Sequence, residues 1–169
     1  MDKKANIDHI NTQGNPRYFK TYKLSDGSLV NACILDTAGQ EKFKAITETY
    51  YKKADCCLLV YDITSRKSFD ECKNYYLPNI RQKCKENIKI ILLGNKTDLE
   101  NKRDVKPEEG AYFANNNGFD FMETSCLQNK NVAGAFETLI ELTNIEAQKN
   151  KKEKNIELTN EKNESSCFC

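Results

Sequence analysis

Three short polar clusters each follow an apolar run, and each combines residue types suited to phosphate or base chemistry. Asp36-Thr37-Ala38-Gly39-Gln40 follows Leu29 to Leu35. A carboxylate at that point can hold a hydrated divalent cation, Gly39 lets its backbone N–H approach a phosphate oxygen, and the Gln40 amide can orient a water. Asn95-Lys96-Thr97-Asp98 follows Ile88 to Gly94. Asp98 offers two acceptors to the adjacent donors on a guanine edge, which adenine does not present, while Asn95 can tie neighbouring loops and the Lys96 stem can lie over a base. Glu123-Thr124-Ser125-Cys126 follows Phe119 to Phe121, where a backbone N–H can reach a carbonyl on the same base. Each cluster alone is ordinary turn or cap chemistry. All three, each at the end of an apolar run, are not.

The elements that must position these clusters are readable from the apolar pattern. Tyr18 to Leu24 and Leu29 to Leu35 flank Ser25-Asp26-Gly27-Ser28, which predicts a hairpin. Thr37 to Lys53 is polar, with helical character in its second half. Cys56 to Tyr61 and Ile88 to Leu93 are short continuous apolar runs, the pattern of strands buried on both faces of a parallel sheet. Ser65 to Cys84 has helical length, and Pro78 predicts a bend or break near its middle. A helix is expected from Pro107 to about Asn115, a last short strand at Phe119 to Phe121, and an amphipathic helix from Val132 to Ala147 with Ala135, Phe136, Leu139, Ile140 and Leu142 inward. The order predicts an α/β fold, doubly wound on a mostly parallel sheet with helices on both faces. Ligands of such sheets bind beyond the carboxyl ends of the strands, where the three clusters fall.

Composition narrows the function classes. The 169 residues are one domain's worth of chain, and 26 Lys+Arg against 25 Asp+Glu leave a net charge of +1. No global basic field marks a nucleic-acid binder, so any anion site is local. The first residues lack an apolar secretory core and no apolar run is long enough to span a bilayer, so a reducing cytosolic compartment is expected. None of the eight cysteines is paired at metal-site spacing, and Cys33, Cys56 and Cys57 lie in apolar runs as buried thiols would. Cys167 and Cys169 differ. They end a segment that from Lys149 holds five Lys and four Glu with little apolar content, so residues 149–169 are expected to be a disordered tail after a 1–148 domain.

Asp36-Thr-Ala-Gly-Gln-Glu41, Asn95-Lys-Thr-Asp98 and Glu123-Thr-Ser125 together resemble the guanine-nucleotide motifs of the Ras superfamily of small GTPases, over roughly Thr12 to Ala147. Thr49-Tyr50-Tyr51-Lys-Lys-Ala54, Leu59-Val-Tyr-Asp-Ile-Thr64 and Cys167-Phe168-Cys169 resemble the Rab branch. The resemblance implies a GTP/GDP-dependent switch in vesicular membrane traffic. Asp36 would bind Mg²⁺ through water, Gly39 would contact the γ-phosphate, Thr37 and Ala38 would belong to the same nucleotide-binding stretch, and Gln40 would position the attacking water. With one extra residue before Phe19, Thr12 reads either as the family's switch threonine, which would ligand Mg²⁺, or as an ordinary polar loop residue. Asn95, Lys96 and Asp98 would read guanine, helped by the backbone at Ser125 and Cys126. Hydrolysis in such proteins is slow until an activating partner supplies an arginine. The C-x-C ending implies two prenyl chains on Cys167 and Cys169, hence a Rab escort protein, a geranylgeranyl transferase, exchange and activating proteins, and the cytosolic face of intracellular membranes.

The sequence departs from that pattern in one large respect. The phosphate-cradling G-x-x-x-x-G-K-[ST] does not occur in it, since its glycines stand at 14, 27, 39, 94, 110, 118 and 134. The expectation is a small G-domain without its first strand, phosphate loop and first helix, which leaves ladders unpaired between the strands at 29–35 and 56–61. Such a chain is expected to fold poorly and bind GTP weakly. Leu35 stands where Rabs carry Trp, Cys126 replaces an Ala and Leu127 a Lys. Two functional classes follow: an N-terminally truncated copy of a GTP-hydrolysing switch, or a prenylated binding module without a nucleotide cycle.

Overall fold

The computed structural model describes residues 17–36 and 51–164. Two sheets form. β1 (Arg17–Lys23) and β2 (Leu29–Leu35) make an antiparallel hairpin, with Tyr22 opposite Val30 and Lys20 opposite Ala32. Gly27, at φ 82°, supplies the left-handed residue of the turn, and the Asp26 carboxylate accepts from the Ser28 N–H at 2.9 Å. β3 (Cys56–Asp62), β4 (Lys89–Asn95) and β5 (Asp120–Glu123) form a parallel sheet in the order β3-β4-β5. Among the described residues no strand bridges β2 and β3.

β4 is the central strand and is buried from Ile90 to Gly94. Its alternation feeds two cores. Ile90 and Leu92 face one side, where they join Leu59, Tyr61 and Ile63 beneath the helices. Ile91 and Leu93 face the other, against Ala135 and Leu139. Each buried aliphatic side chain contributes roughly 1.5–3 kcal/mol, so this one strand anchors both layers.

On the first face α1 (Arg66–Glu71), a π turn (Cys72–Tyr76) and α2 (Leu77–Lys83) run as one helical rod. The bend predicted at Pro78 is met by that π turn. Proline has no N–H to donate, and the turn widens just before it so that the Leu77 N–H reaches the Cys72 carbonyl five residues back. α3 (Pro107–Asn116) starts with proline at its first position, and the Lys106 N–H donates to Glu109 at 3.0 Å. Arg66 grips the same Glu109 through both guanidinium ends, at 2.6 and 2.8 Å, which ties α1 to α3. The Arg66 hydrogen bonds, with that from Lys106, hold the Glu109 carboxyl down at about 2.

α4 (Val132–Glu164) covers the second face. Ala135 and Leu139 pack on the parallel sheet while Ile140, one step round the helix, packs on Tyr22 and Leu24 of the hairpin, with Phe136 beside it. The Ser25 hydroxyl and N–H both donate to Glu141 and close the hairpin against the same helix.

Three expectations need correction. The tail expected to be disordered from Lys149 continues as helical backbone to Glu164; a Lys/Glu-rich segment without Gly or Pro is too polar for a core yet well suited to helix. Cys33 is exposed, because it shares the open face of the hairpin with Phe19, and Cys56 and Cys57 are only partly buried. β3 is not buried on both faces. Val60 is 50% exposed, since β3 pairs with β4 on one side only among the described residues.

Two glycines make room for Tyr61. A Cβ at Gly110 would lie 2.6 Å from Cε2 of Phe121 and 2.7 Å from the Tyr61 hydroxyl, and one at Gly94 would lie 2.9 Å from that hydroxyl. Alanine in a helix interior normally gains about 1 kcal/mol over glycine. Here the clash dominates, and Gly110→Ala is expected to lose roughly 1–3 kcal/mol of stability in urea unfolding.

Candidate functional site

The carboxyl ends of β3, β4 and β5 converge, and the parallel register explains why. Asp62 pairs with Asn95 across β3 and β4, and Gly94 pairs with Glu123 across β4 and β5. The residues that follow each strand therefore meet above one edge of the sheet.

The second and third polar clusters are joined there by hydrogen bonds in both directions. The Asn95 side-chain oxygen accepts from the Thr124 hydroxyl at 3.2 Å and from the Cys126 N–H at 3.4 Å. The Thr97 N–H donates to the Thr124 carbonyl at 3.1 Å. The Ser125 hydroxyl donates to Asp98 Oδ1 at 2.5 Å and accepts from the Gln128 N–H at 3.1 Å. Ser125 is fully buried, and its backbone exchanges two hydrogen bonds with Lys130. Asp98 Oδ2 has no hydrogen-bond partner among the described residues. The Ser125 hydroxyl thus fixes the orientation of the Asp98 carboxylate.

Lys96 sits between these residues in the left-handed region, φ 71° and ψ 37°, a conformation that costs a side-chain-bearing residue roughly 1–2 kcal/mol. Its ammonium lies 2.7 Å from Asp62 Oδ2. Burial acts to raise the Asp62 carboxyl, but the hydrogen bonds from Lys96 and Thr64 overcome it and hold the group below its ordinary value; Lys96 is correspondingly raised by Asp62.

Arg103 locks the loop that carries Asp98 to the end of β5. Its side chain is 12% exposed and bonds to Glu100 at 2.7 and 2.6 Å, to Glu123 at 2.6 and 3.1 Å, and to the Val105 carbonyl at 3.1 Å. Hydrogen bonds to Glu100, then to Glu123, push the guanidinium above its already high ordinary value.

The structure thus brings together Asn95, Lys96, Asp98, Ser125 and Cys126. Asp36 stands at the carboxyl end of β2, exposed, in the other sheet. Thr12, Thr37, Ala38, Gly39, Gln40, Cys167 and Cys169 lie outside the described residues. Sequence reasoning missed Asp62 and Arg103. Asp62 follows an apolar run just as the other clusters do, so the same rule would have found it; Arg103 carries no such signal. At this edge the Asp98 carboxylate is oriented by Ser125, and the Cys126 N–H is engaged with Asn95. For Mg²⁺ only Asp36 of the proposed ligands is described, and no group of three His, Cys, Asp or Glu among the described residues could hold a metal.

The weld at Arg103 is testable by its removal. Losing hydrogen bonds to two carboxylates costs about 2 kcal/mol, and Arg103→Ala is expected to lower unfolding stability by that amount in urea titration, with Arg103→Lys recovering only part.

The family model that matches is that of the Ras family, over residues 1–145. Ras-related protein Rab11A of Lotus japonicus is 47% identical over 121 residues, which cover 71% of this chain and 53% of that protein. Ras-related protein Rab-8A of Bos taurus is 43% identical over 134 residues, covering 79% of this chain and 64% of that protein. The chain therefore spans between half and two thirds of the length of these relatives. With its mixed α/β fold, its parallel sheet and its stitched loops at the strand ends, the chain belongs to the Ras family.

Proposed function

We propose that this chain carries the base-reading portion of a Rab-like small GTPase, a GTP/GDP-dependent switch in vesicular membrane traffic. The observation that carries the reading is the joined pair of loops at the ends of β4 and β5, with the Asp98 carboxylate oriented by the Ser125 hydroxyl. A carboxylate held in this way suits the adjacent N1–H and N2–H₂ donors of guanine, and the Cys126 backbone N–H, which donates to the Asn95 side-chain oxygen at 3.4 Å, would turn or be shared to reach the base carbonyl. Adenine presents an acceptor and a donor in the opposite sense and would leave the carboxylate facing a lone pair.

The remaining roles rest on the family resemblance. Asp36 and Thr12 would hold Mg²⁺, with Thr37, Ala38 and Gly39 near the γ-phosphate and Gln40 orienting water. GTP or GDP with Mg²⁺ is the proposed ligand, and exchange and activating proteins are the proposed regulators. Cys167 and Cys169 are proposed as geranylgeranylation sites, delivered by a Rab escort protein and holding the chain on the cytosolic face of intracellular membranes. No helix among the described residues is long and apolar enough to cross a membrane. Two chains suffice where one binds only weakly.

Competition against a fluorescent GDP analogue tests the base reading on the chain of residues 1–169. GDP and GTP are expected to compete and ADP is not, and Asp98→Ala should weaken guanine nucleotides by about tenfold or more, the worth of a bidentate base contact. Equal competition by ADP and GDP would overturn it. A chain that binds neither nucleotide yet partitions into membranes would instead favour the second reading, a prenylated binding module without a nucleotide cycle. The anchor has its own check: Cys167→Ser/Cys169→Ser is expected to move the protein from the membrane to the soluble fraction of cells.

A further inference from the structure

The structure assigns Asp62 a role that neither the sequence clusters nor the family comparison gives it: a positioning residue that tethers Lys96 across the candidate base site before any nucleotide arrives. This inference rests on the base-reading role proposed above for the loop at Asn95 to Asp98.

Asp62 is the last residue of β3, and its register partner on β4 is Asn95. Its backbone is held firmly. The Asp62 N–H donates to the Ser68 hydroxyl at 3.0 Å, and the next residue's N–H donates to the Asn95 carbonyl at 3.0 Å. The two carboxylate oxygens then divide their work. Oδ1 accepts from the N–H and the hydroxyl of Thr64, at 2.8 and 2.7 Å, which fixes the rotamer, and Oδ2 faces the Lys96 ammonium at 2.7 Å.

A lysine on a loop has four rotatable side-chain bonds and loses their rotamer freedom when it is fixed. The Lys96 side chain is 52% exposed, so packing does not fix it. What spans the distance from the β4 loop to the end of β3 is the alkyl stem, drawn out by the carboxylate at its far end. The left-handed backbone of Lys96 aims the stem in that direction, and the Lys96 carbonyl accepts from the Leu99 N–H at 2.9 Å to hold the loop in that form. The stem is therefore held at both ends, by the left-handed backbone and by the ammonium on Asp62, and the entropy of ordering it is met before binding rather than during it.

Asp62→Asn separates this role from simple loop support. The amide keeps an oxygen for Thr64 but replaces Oδ2 with an NH₂ that cannot accept from an ammonium. In the ligand-free chain of residues 1–169, the pKa of Lys96 followed by ¹³Cε NMR is expected to fall toward the ordinary lysine value in Asp62→Asn. GDP affinity is expected to fall about three- to fivefold, the scale of an exposed ion pair, and to show no further fall when Asp62→Asn is added to Lys96→Met. An unchanged Lys96 titration overturns the tether, and so does an equal loss of affinity in the Lys96→Met background. Should the parent chain bind no GDP, the base-reading proposal fails by that result, while the Lys96 titration still decides the tether.

Discussion

The arrangement depends on β4 being sandwiched. A strand with five consecutive buried residues has no solvent face, so helices must cover it on both sides and its neighbours must run parallel to it. Once that is so, polar side chains emerge from the strand at its two ends, Lys89 at one and Asn95 at the other. Asn95, Lys96 and Asp98 stand at the carboxyl end, beyond the apolar run from Ile90 to Leu93. The hydrophobic constraint thus positions the polar chemistry, and the hydrogen bonds between loops refine a placement that burial has already made.

Those hydrogen bonds are unusually economical in their use of side chains. Asn95 binds the loop after β5 with one oxygen, and Ser125 links Asp98 to the turn at Gln128 with one hydroxyl. Arg103 adds a charged clamp between Glu100 and Glu123 from beneath. Because each member serves two loops, none can move alone. The rigidity of these loops comes from this sharing rather than from regular secondary structure, of which they hold a short 3₁₀ segment.

Much of this was legible in the sequence, and the limits have physical reasons. Apolar runs located β2, β3, β4 and β5 to within a residue or two, since continuous burial is a strong local signal, and the inner stripe of α4 was read residue by residue. The meeting of Asp62 with Lys96 was not legible, because it depends on the register between two strands that are 27 residues or more apart in the chain and on a left-handed backbone at a lysine. The exposure of Cys33 and Val60 was misread for a related reason: an apolar run reports the burial a segment is suited to, while the burial it obtains is set by which strands lie beside it. In α4 the error ran the other way, where a lack of hydrophobes was read as a lack of structure.

The two-stripe face of α4 has a mechanical meaning. One side of the helix grips the parallel sheet through Ala135 and Leu139, and the adjacent side grips the hairpin through Ile140, with Glu141 holding Ser25 at the turn. Among the described residues no ladder of backbone hydrogen bonds connects the two sheets. Side-chain packing resists separation but has little resistance to sliding, unlike a ladder, which is fixed in register. The hairpin that ends just before Asp36 is therefore seated against the parallel sheet through α4, by side-chain packing and not by a shared backbone register among the described residues.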